Sequence, residues 1–325
     1  MQYLIGIDGG GTKTKAVLSD LDGKTICTTE AGPSNILVVG ETGVKEVCST
    51  LVTSFIEKRK LKPEEIVFWS LGLAGAGREP DQKRAQKAVE SLGFENKVFV
   101  TSDAYVALIG AFIGREGIIT ISGTGSICFG VDDSGQLFRS GGWGYLLGDE
   151  GSGYFIGQQA LIAALKDYDH RGPSTKLRSC LENHFKVESI HEIIPRIYKA
   201  KEGVKEEIAD IAPLVFREAA SGDQIANEII LRSIEELGNL ILSIARQMGK
   251  LEGSIEVATV GSIFLQKEKV MPKLQSYLGK HFKLINIHEP ELEPVKGAIL
   301  LGLKKLKIKV TDKILSNLKS SNEMA

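Results

Sequence analysis

The sequence predicts an α/β protein made of two related halves, and three observations support this. The chain has 325 residues, more than the length at which single hydrophobic cores usually stop growing. Residues 4–17 (LIGIDGGGTKTKAV) read as two strands joined by a glycine-rich turn. Residues 117–131 (GIITISGTGSICFGV) repeat this pattern, because positions 5–12 align with positions 119–126. Such a duplication indicates two structurally similar units.

The first half alternates between strand and helix signals, and Asp22-Gly23 marks a hairpin turn. The predicted strands are 2–8, 14–20, 24–30, 66–73 and 97–101. The predicted helices are 41–60, which has apolar residues at helical spacing, 81–92 and 103–113. The first domain is therefore expected to span residues 1–113.

The second half begins near Gly114 and contains the repeated hairpin. Its predicted helices are 154–166, 173–183, 205–220, 223–249 and 265–279, and its further strands are 255–260 and 284–287. This domain is expected to span residues 114–290. A last helix near 295–307 is expected to return and complete the first domain, and residues 311–325 are expected to be a frayed polar tail.

The composition is that of an ordinary globular protein, with 42% hydrophobic and 25% charged residues. The net charge of −1 offers no basic field for nucleic acid or for an anionic membrane. Four scattered cysteines without a CxxC pattern predict free thiols, and neither a zinc site nor a disulfide framework. The apolar stretch before Asp8 is too short for a signal peptide, and no run reaches membrane-spanning length, so a cytoplasmic protein is expected.

The turn formed by Gly9, Gly10, Gly11, Thr12 and Lys13 exposes backbone N–H groups that can hold a phosphate. The turn lacks the residue spacing of a P-loop. It leads into a predicted strand, whereas a dinucleotide-binding loop leads into a helix, so neither class of protein is favoured. The alternative is a plain glycine hairpin with a surface aspartate. Asp8, at the end of the preceding strand, is placed to orient the water shell of a phosphate-bound Mg²⁺, because Mg²⁺ needs few protein ligands.

Two further segments carry side chains suited to chemistry. Asp103 follows a predicted strand end and is the best candidate for a general base, although capping of the next helix would also explain an aspartate there. Residues 141–152 are rich in glycine around Trp143 and the pair Asp149-Glu150. An indole beside paired acceptors suits a carbohydrate pocket. The alternative is a rigid loop in which Trp143 is an anchor and the two carboxylates cap the next helix.

Together these segments resemble the N-acetylglucosamine kinase branch of the actin-like sugar kinases, grouped with the BadF/BadG/BcrA/BcrD ATPase family. The matching segments, in the expected order, are GIDGGGTKT (6–14), GPSN (32–35), SLGLAGAG (70–77), TSDA (101–104), ISGTGS (121–126), GGWGYLLGDEGS (141–152) and VGS (260–262). The resemblance implies two ribonuclease-H-like lobes, each with a mixed five-stranded sheet flanked by helices, and a deep interdomain cleft. It also implies a homodimer.

The same resemblance implies an ATP-dependent kinase that phosphorylates the 6-hydroxyl of an amino sugar, with Mg²⁺ bound to ATP. Asp103 would be the catalytic base, and Asp8 would lie near the metal. The residues implied for ATP and its phosphates are Gly9, Gly10, Gly11, Thr12, Lys13, Thr124, Gly125, Gly261 and Ser262. Those implied for the sugar are Asn35, Asp103, Ser126, Ile127, Gly142, Trp143, Asp149 and Glu150.

One departure from the family pattern concerns the substrate. The mammalian kinases carry an asparagine after GTGS, whereas this chain has Ile127, so one polar contact is replaced by an apolar one. N-acetylglucosamine is the expected substrate, with glucosamine and N-acetylmuramic acid as alternatives. A different class, the ATPase activators of radical dehydratases, needs cysteines that hold an iron–sulfur cluster, and the scattered cysteines offer no suitable pair.

Overall fold

The structure, a computed structural model, describes residues 1–199 and 203–320. By contact density the chain forms two compact units. Unit 1 comprises Met1–Glu116, Asp133–Gly135 and Glu289–Ala325, and unit 2 comprises Gly117–Asp132 and Gln136–His288.

Ten strands and twelve α-helices make up the described fold. The strands are β1 (Tyr3–Gly9), β2 (Thr14–Asp20), β3 (Thr25–Ala31), β4 (Ile66–Leu73), β5 (Val98–Ser102), β6 (Gly117–Ser122), β7 (Ser126–Val131), β8 (Leu137–Gly141), β9 (Ser254–Val260) and β10 (Leu284–His288). The helices are α1 (Ile36–Arg59), α2 (Glu79–Glu90), α3 (Asp103–Phe112), α4 (Gly153–Tyr168), α5 (Leu177–Phe185), α6 (Ile193–Lys199), α7 (Val204–Ala209), α8 (Ala212–Ala220), α9 (Gln224–Gln247), α10 (Lys267–Leu278), α11 (Pro294–Lys305) and α12 (Asp312–Lys319).

The two sheets have the same construction. In unit 1 the order is β3-β2-β1-β4-β5, where β1, β2 and β3 form an antiparallel meander and β4 and β5 run parallel to β1. In unit 2 the order β8-β7-β6-β9-β10 repeats this arrangement around β6. The prediction of an α/β fold with mixed five-stranded sheets is therefore confirmed.

The sheet of unit 1 is covered on both faces. Strand β1 buries side chains on each side, which is why Leu4, Ile5 and Ile7 form a nearly continuous apolar run. One face packs against α1 and α2, and the other packs against α3 and α11. Gly6 allows the second contact, because a Cβ there would lie 2.8 Å from the carbonyl oxygen of Val295 in α11.

Unit 2 departs from the sequence prediction at three elements. Residues 205–220, predicted as one helix, form α7 and α8, because the helix ends at Ala209 and Pro213 lies in the first turn of the next helix. Strand β8 was not predicted, since this edge strand has no apolar alternation. Helix α6 was not predicted either.

In the described part of the chain, no helix combines the length and the apolar composition that crossing a bilayer requires.

The segment expected to be a frayed tail is mostly ordered. Residues 312–319 form α12, and the hydroxyl of Thr311 caps it by accepting the N–H of Ile314. Ile314 and Leu318 are buried against the β2–β3 turn, close to Gly23. The polar composition concealed these two apolar positions, which are four residues apart and therefore share one helical face. Residues 321–325 lie outside the described range.

We expect Ile314→Ala to lower the free energy of unfolding by about 2–4 kcal/mol, because a buried isoleucine is truncated and a cavity remains. Ser316→Ala, at an exposed position of the same helix, is the matched control and should change stability by less than about 0.5 kcal/mol. Urea denaturation measures both. Equal stability of the two variants would mean that α12 does not contribute to the core.

Candidate functional site

Two carboxylates lie at one edge of the sheet in unit 1. Asp8 is the last residue but one of β1 and is the register partner of Gly72 in β4. The next position of β4, Leu73, is the partner of Ser102 at the end of β5, and Asp103 follows directly. Because β1, β4 and β5 are parallel, their carboxyl ends meet at the same edge.

Asp103 is the first residue of α3, and the residue before it occupies the N-cap position. Ser102 is the N-cap residue, and its hydroxyl accepts the N–H of Tyr105 at 3.2 Å. The N-cap position therefore belongs to Ser102, and Asp103 is the first helical residue, where a carboxylate also favours the helix N-terminus. One carboxylate oxygen of Asp103 accepts the N–H of Ala104 at 2.9 Å, so the side chain is oriented while acceptor capacity remains.

Burial makes both carboxylates weaker acids. The pKa of Asp8 is raised from 3.8 to about 6, first by burial and next by the negative charge of Asp103. The positive charge of Lys15, the cross-strand partner of Asp8, lowers the pKa of Asp8. The negative charge of Glu293, which pairs with Lys15 at 2.6 Å, raises it. Burial also raises the pKa of Asp103, while its hydrogen bond from Ala104 lowers it. A pKa raised by burial is typical of acid–base groups.

Asp8 also fits a contact with a divalent cation. In residues 1–199 and 203–320, no three carboxylate, imidazole or thiol groups cluster as metal ligands. A cation at this edge would therefore take few ligands from the protein and the rest from water or phosphate, as Mg²⁺ commonly does. A positive charge there would offset the unfavourable ionisation of Asp8.

The first glycine turn is a tight hairpin between β1 and β2. The N–H of Gly10 donates to the carbonyl of Lys13 at 2.9 Å, and Gly11 and Thr12 are exposed at its tip. Gly9 is required, because a Cβ there would lie 2.1 Å from the hydroxyl oxygen of Ser34. Lys13 points to Glu30, with 3.0 Å between the charged atoms.

Asn35 lies beside this turn. The preceding residue, Ser34, donates its N–H to the carbonyl of Gly10, which ties the two segments together. The Asn35 side chain caps α1 by accepting the N–H of Leu37 at 3.1 Å. Its amide NH₂ group remains available as a donor, so structural and binding roles are compatible.

The second glycine turn, between β6 and β7, is attached to the start of α4. The carbonyl of Gly123 accepts the N–H of Gly153 at 2.7 Å, and the carbonyl of Thr124 accepts that of Tyr154 at 3.3 Å. The side chain of Thr124 is exposed. Gly125 lies against the Asp149 carboxylate, because a Cβ at Gly125 would lie 2.9 Å from the nearest carboxylate oxygen. Any side chain at Gly125 would displace Asp149.

A cavity of about 180 Å³ opens beside the second turn. Thr124 and Ser262 line it together, which brings two of the predicted nucleotide-binding residues into one pocket. Gly261 just before Ser262 has φ +113, and a Cβ there would meet the Ser122 carbonyl at 2.1 Å. No motif of the sequence indicates the other lining residues, which come from α7, α8, their connection and the turn before α10: Ala209, Asp210, Ala212, Pro213, Phe216 and Gln266.

The glycine-rich loop at 141–152 holds a buried carboxylate. Asp149 has φ +62, and its Oδ1 accepts the N–H of Ser126 at 3.2 Å. The hydroxyl of Ser126 donates to the carbonyl of Glu150 at 2.6 Å, so loop and strand are bonded twice. Ser152, and neither carboxylate, caps α4 by accepting the N–H of Phe155. The alternative explanation of Asp149 and Glu150 as helix caps is therefore wrong.

Trp143 lies on the surface of unit 2, close to Gly148 of the same loop. It is 65% exposed and does not anchor the loop in a core. The guanidinium of Arg139 lies 4.5 Å from the indole centroid, a cation–π contact on one face of the ring. Gly142 packs on Ile127, because a Cβ at Gly142 would lie 2.3 Å from Ile127 Cδ1.

Comparison with known proteins extends over nearly the whole chain. The model of the BadF/BadG/BcrA/BcrD ATPase family matches residues 5–302. A protein named N-acetylmuramic acid/N-acetylglucosamine kinase from Clostridium acetobutylicum is 35% identical over 303 residues, covering 93% of this chain and 98% of its own. N-acetyl-D-glucosamine kinase from Dictyostelium discoideum is 33% identical over 312 residues, covering 93% and 98%.

A solved structure agrees with these relatives. The crystal structure of a candidate N-acetylglucosamine kinase from Chromobacterium violaceum aligns with a TM-score of 0.67 and 26% identity. The alignment covers 93% of this chain and 99% of that one.

The raised pKa of Asp8 predicts a pH-dependent cost to stability. A carboxyl whose pKa is higher in the folded state is favourable at low pH, and this contribution is lost as the pH rises from 3.8 through about 6. Asp8→Asn removes this pH-dependent loss of stability, because the amide does not ionise. Compared with the unmodified chain, the variant should gain about 1–3 kcal/mol in free energy of unfolding between about pH 4 and about pH 8.

Urea denaturation across this pH range measures the effect, and Asp133→Asn, which alters an exposed carboxylate, is the control for the substitution. If Asp8→Asn and the unmodified chain show parallel pH profiles, the carboxylate of Asp8 is not destabilised by its surroundings.

Proposed function

The chain belongs to the BadF/BadG/BcrA/BcrD ATPase family, and we propose that it is an ATP-dependent kinase acting on the 6-hydroxyl of an amino sugar. The observation that carries the proposal is Asp103, a half-buried carboxylate with a raised pKa that follows the N-cap residue of its helix. It lies at the same sheet edge as Asp8 and the first glycine turn. The named sugar-kinase relatives, which match almost end to end, support the reaction class.

Asp103 would act as the general base. The 6-hydroxyl oxygen attacks the γ-phosphorus of ATP, the bond from that phosphorus to the bridging oxygen breaks, and ADP leaves. The hydroxyl proton passes to the Asp103 carboxylate, and the other product is the sugar 6-phosphate. A raised pKa makes Asp103 a stronger proton acceptor, and phosphoryl transfer otherwise depends mainly on positioning and charge neutralisation.

Each unit carries a proposed nucleotide-binding segment. The turn of Gly9, Gly10, Gly11, Thr12 and Lys13 would hold phosphates in unit 1, and Thr124 and Gly125 would do so in unit 2. Gly261 and Ser262, at the cavity beside Thr124, would contact the adenosine. Mg²⁺ on the phosphates would neutralise their developing charge, and the Asp8 carboxylate suits a contact with its water shell.

The sugar would be held by polar groups and one aromatic face. Trp143 offers an exposed ring for stacking, and the Asn35 amide offers donors. The remaining proposed contacts are Ser126, Ile127, Gly142, Asp149 and Glu150. Ile127 supplies an apolar surface, so selectivity at that point would depend on shape rather than on a hydrogen bond. N-acetylglucosamine is the proposed substrate, and glucosamine and N-acetylmuramic acid are the alternatives.

The other candidate class, an ATPase activator with an iron–sulfur cluster, has little support in the geometry. Cys27, Cys48, Cys128 and Cys180 are all buried free thiols, two in each unit. Burial raises the pKa of Cys48 and of Cys128 to about 12, which disfavours the thiolate that ligates iron.

We expect purified protein with MgATP to release ADP when N-acetylglucosamine is added, in a coupled assay that also includes glucosamine, N-acetylmuramic acid and glucose. Glucose is the control for the amino group. If no amino sugar stimulates ADP release, the proposed function is wrong. The ranking of the three amino sugars identifies the substrate.

Asp103→Asn should lower kcat by about 10²–10⁴-fold, because the amide has nearly the same shape but cannot accept the proton. ATP binding, measured by calorimetry, should stay within about threefold, since the substitution leaves the turns unchanged. Near-normal turnover by this variant would assign the base to another group.

A further inference from the structure

Asp149 and Lys205 form a largely buried ion pair in unit 2. The distance from Lys205 Nζ to Asp149 Oδ2 is 2.8 Å, and the two side chains are 27% and 5% exposed. Oδ2 is buried from solvent, and the Lys205 ammonium lies within ion-pair distance of it. Oδ1 accepts the N–H of Ser126 at 3.2 Å. The carboxylate therefore depends on Lys205 for charge compensation.

Tight packing fixes the position of Lys205. The lysine lies on α7, which packs against α4 so closely that a Cβ at Gly157 would meet the Ile208 carbonyl oxygen at 1.9 Å. Lys205 also lines an apolar cavity of about 840 Å³ together with Tyr145 and Leu146, which belong to the same loop as Asp149. In such surroundings a carboxylate without its cation would be strongly destabilised.

We infer that Lys205 is a positioning residue, which holds the Asp149 carboxylate in the one orientation that can accept a hydrogen bond from a sugar hydroxyl. The inference rests on the proposed function, because it assumes that Asp149 contacts the sugar. Oδ1 of Asp149 accepts a backbone hydrogen bond from Ser126, and a carboxylate oxygen has a second lone pair for a ligand. Lys205 limits the rotation of this side chain without needing to touch the substrate.

The position of α7 gives a way to separate this role from a general structural one. The end of the same helix, at Ala209, lines the cavity beside Thr124 that we assign to the nucleotide. If Lys205 acted only by holding α7, its loss would disturb ATP binding as well as sugar binding. If it acts through Asp149, the KM for the sugar should change and the KM for ATP should not.

The test compares steady-state kinetics of the full-length chain and its variants with the best amino sugar of the panel. Lys205→Met should raise the KM for the sugar by at least about tenfold and leave the KM for ATP within about twofold. Lys205→Arg, which keeps the cation, should stay within about threefold of the unmodified chain. Glu206→Gln, an exposed neighbour lining the same cavity, is the matched control and should change neither KM.

A second comparison keeps the test valid if Lys205→Met does not fold. Asp149→Asn with Lys205→Met leaves no unpaired carboxylate, and its KM for the sugar should equal that of Asp149→Asn alone. The inference is overturned if Lys205→Met binds the sugar normally, if both KM values rise together, or if the double variant is worse than Asp149→Asn. An unmodified chain that phosphorylates no amino sugar would instead refute the proposed function.

Discussion

The proposed site depends on one constraint: the carboxylates of Asp8 and Asp103 lie at the same half-buried sheet edge. Ionising both groups there is energetically unfavourable. Asp8 and Asp103 come from separate segments, and they meet because β1, β4 and β5 are parallel and end together. Gly72, between them, has no side chain, and a Cβ there would lie 2.1 Å from Val106 of α3. This close approach fixes the start of α3, and with it Asp103. The resulting site favours protons and cations.

The second unit repeats this sheet, but the residue at the end of its central strand carries no charge. The central strand β6 ends in Ser122, where β1 has Asp8, and Ser122 donates to the carbonyl of Gly151 instead of carrying charge. The acidic group of this unit, Asp149, comes from a loop and is balanced by Lys205. A duplicated scaffold can thus supply two related glycine turns, while only one copy keeps a carboxylate at the strand end.

Local signals in the sequence predicted most of the fold. Strand β4 was predicted at its observed bounds, 66–73, because its apolar run is bounded by turn signals. The glycine turns were predicted because glycine and hydroxyl residues recur at the same spacing. Two contacts between distant segments were not predictable: nothing near Asp149 indicates that its counter-ion is Lys205, and α12 is stabilised by packing that its polar composition conceals. The pattern also did not distinguish Ser102 from Asp103 as the cap, since both are good N-cap residues.

Carboxyl ¹³C NMR of Asp8 as a function of pH tests the central claim most directly, because it reports the ionisation of this group itself. We expect Asp8 to titrate near pH 6 in the unmodified chain, and at lower pH in Asp103→Asn, since the negative charge of Asp103 contributes to the raised pKa. Titration of Asp8 close to its ordinary value of 3.8, or no change on removing the Asp103 charge, would contradict it.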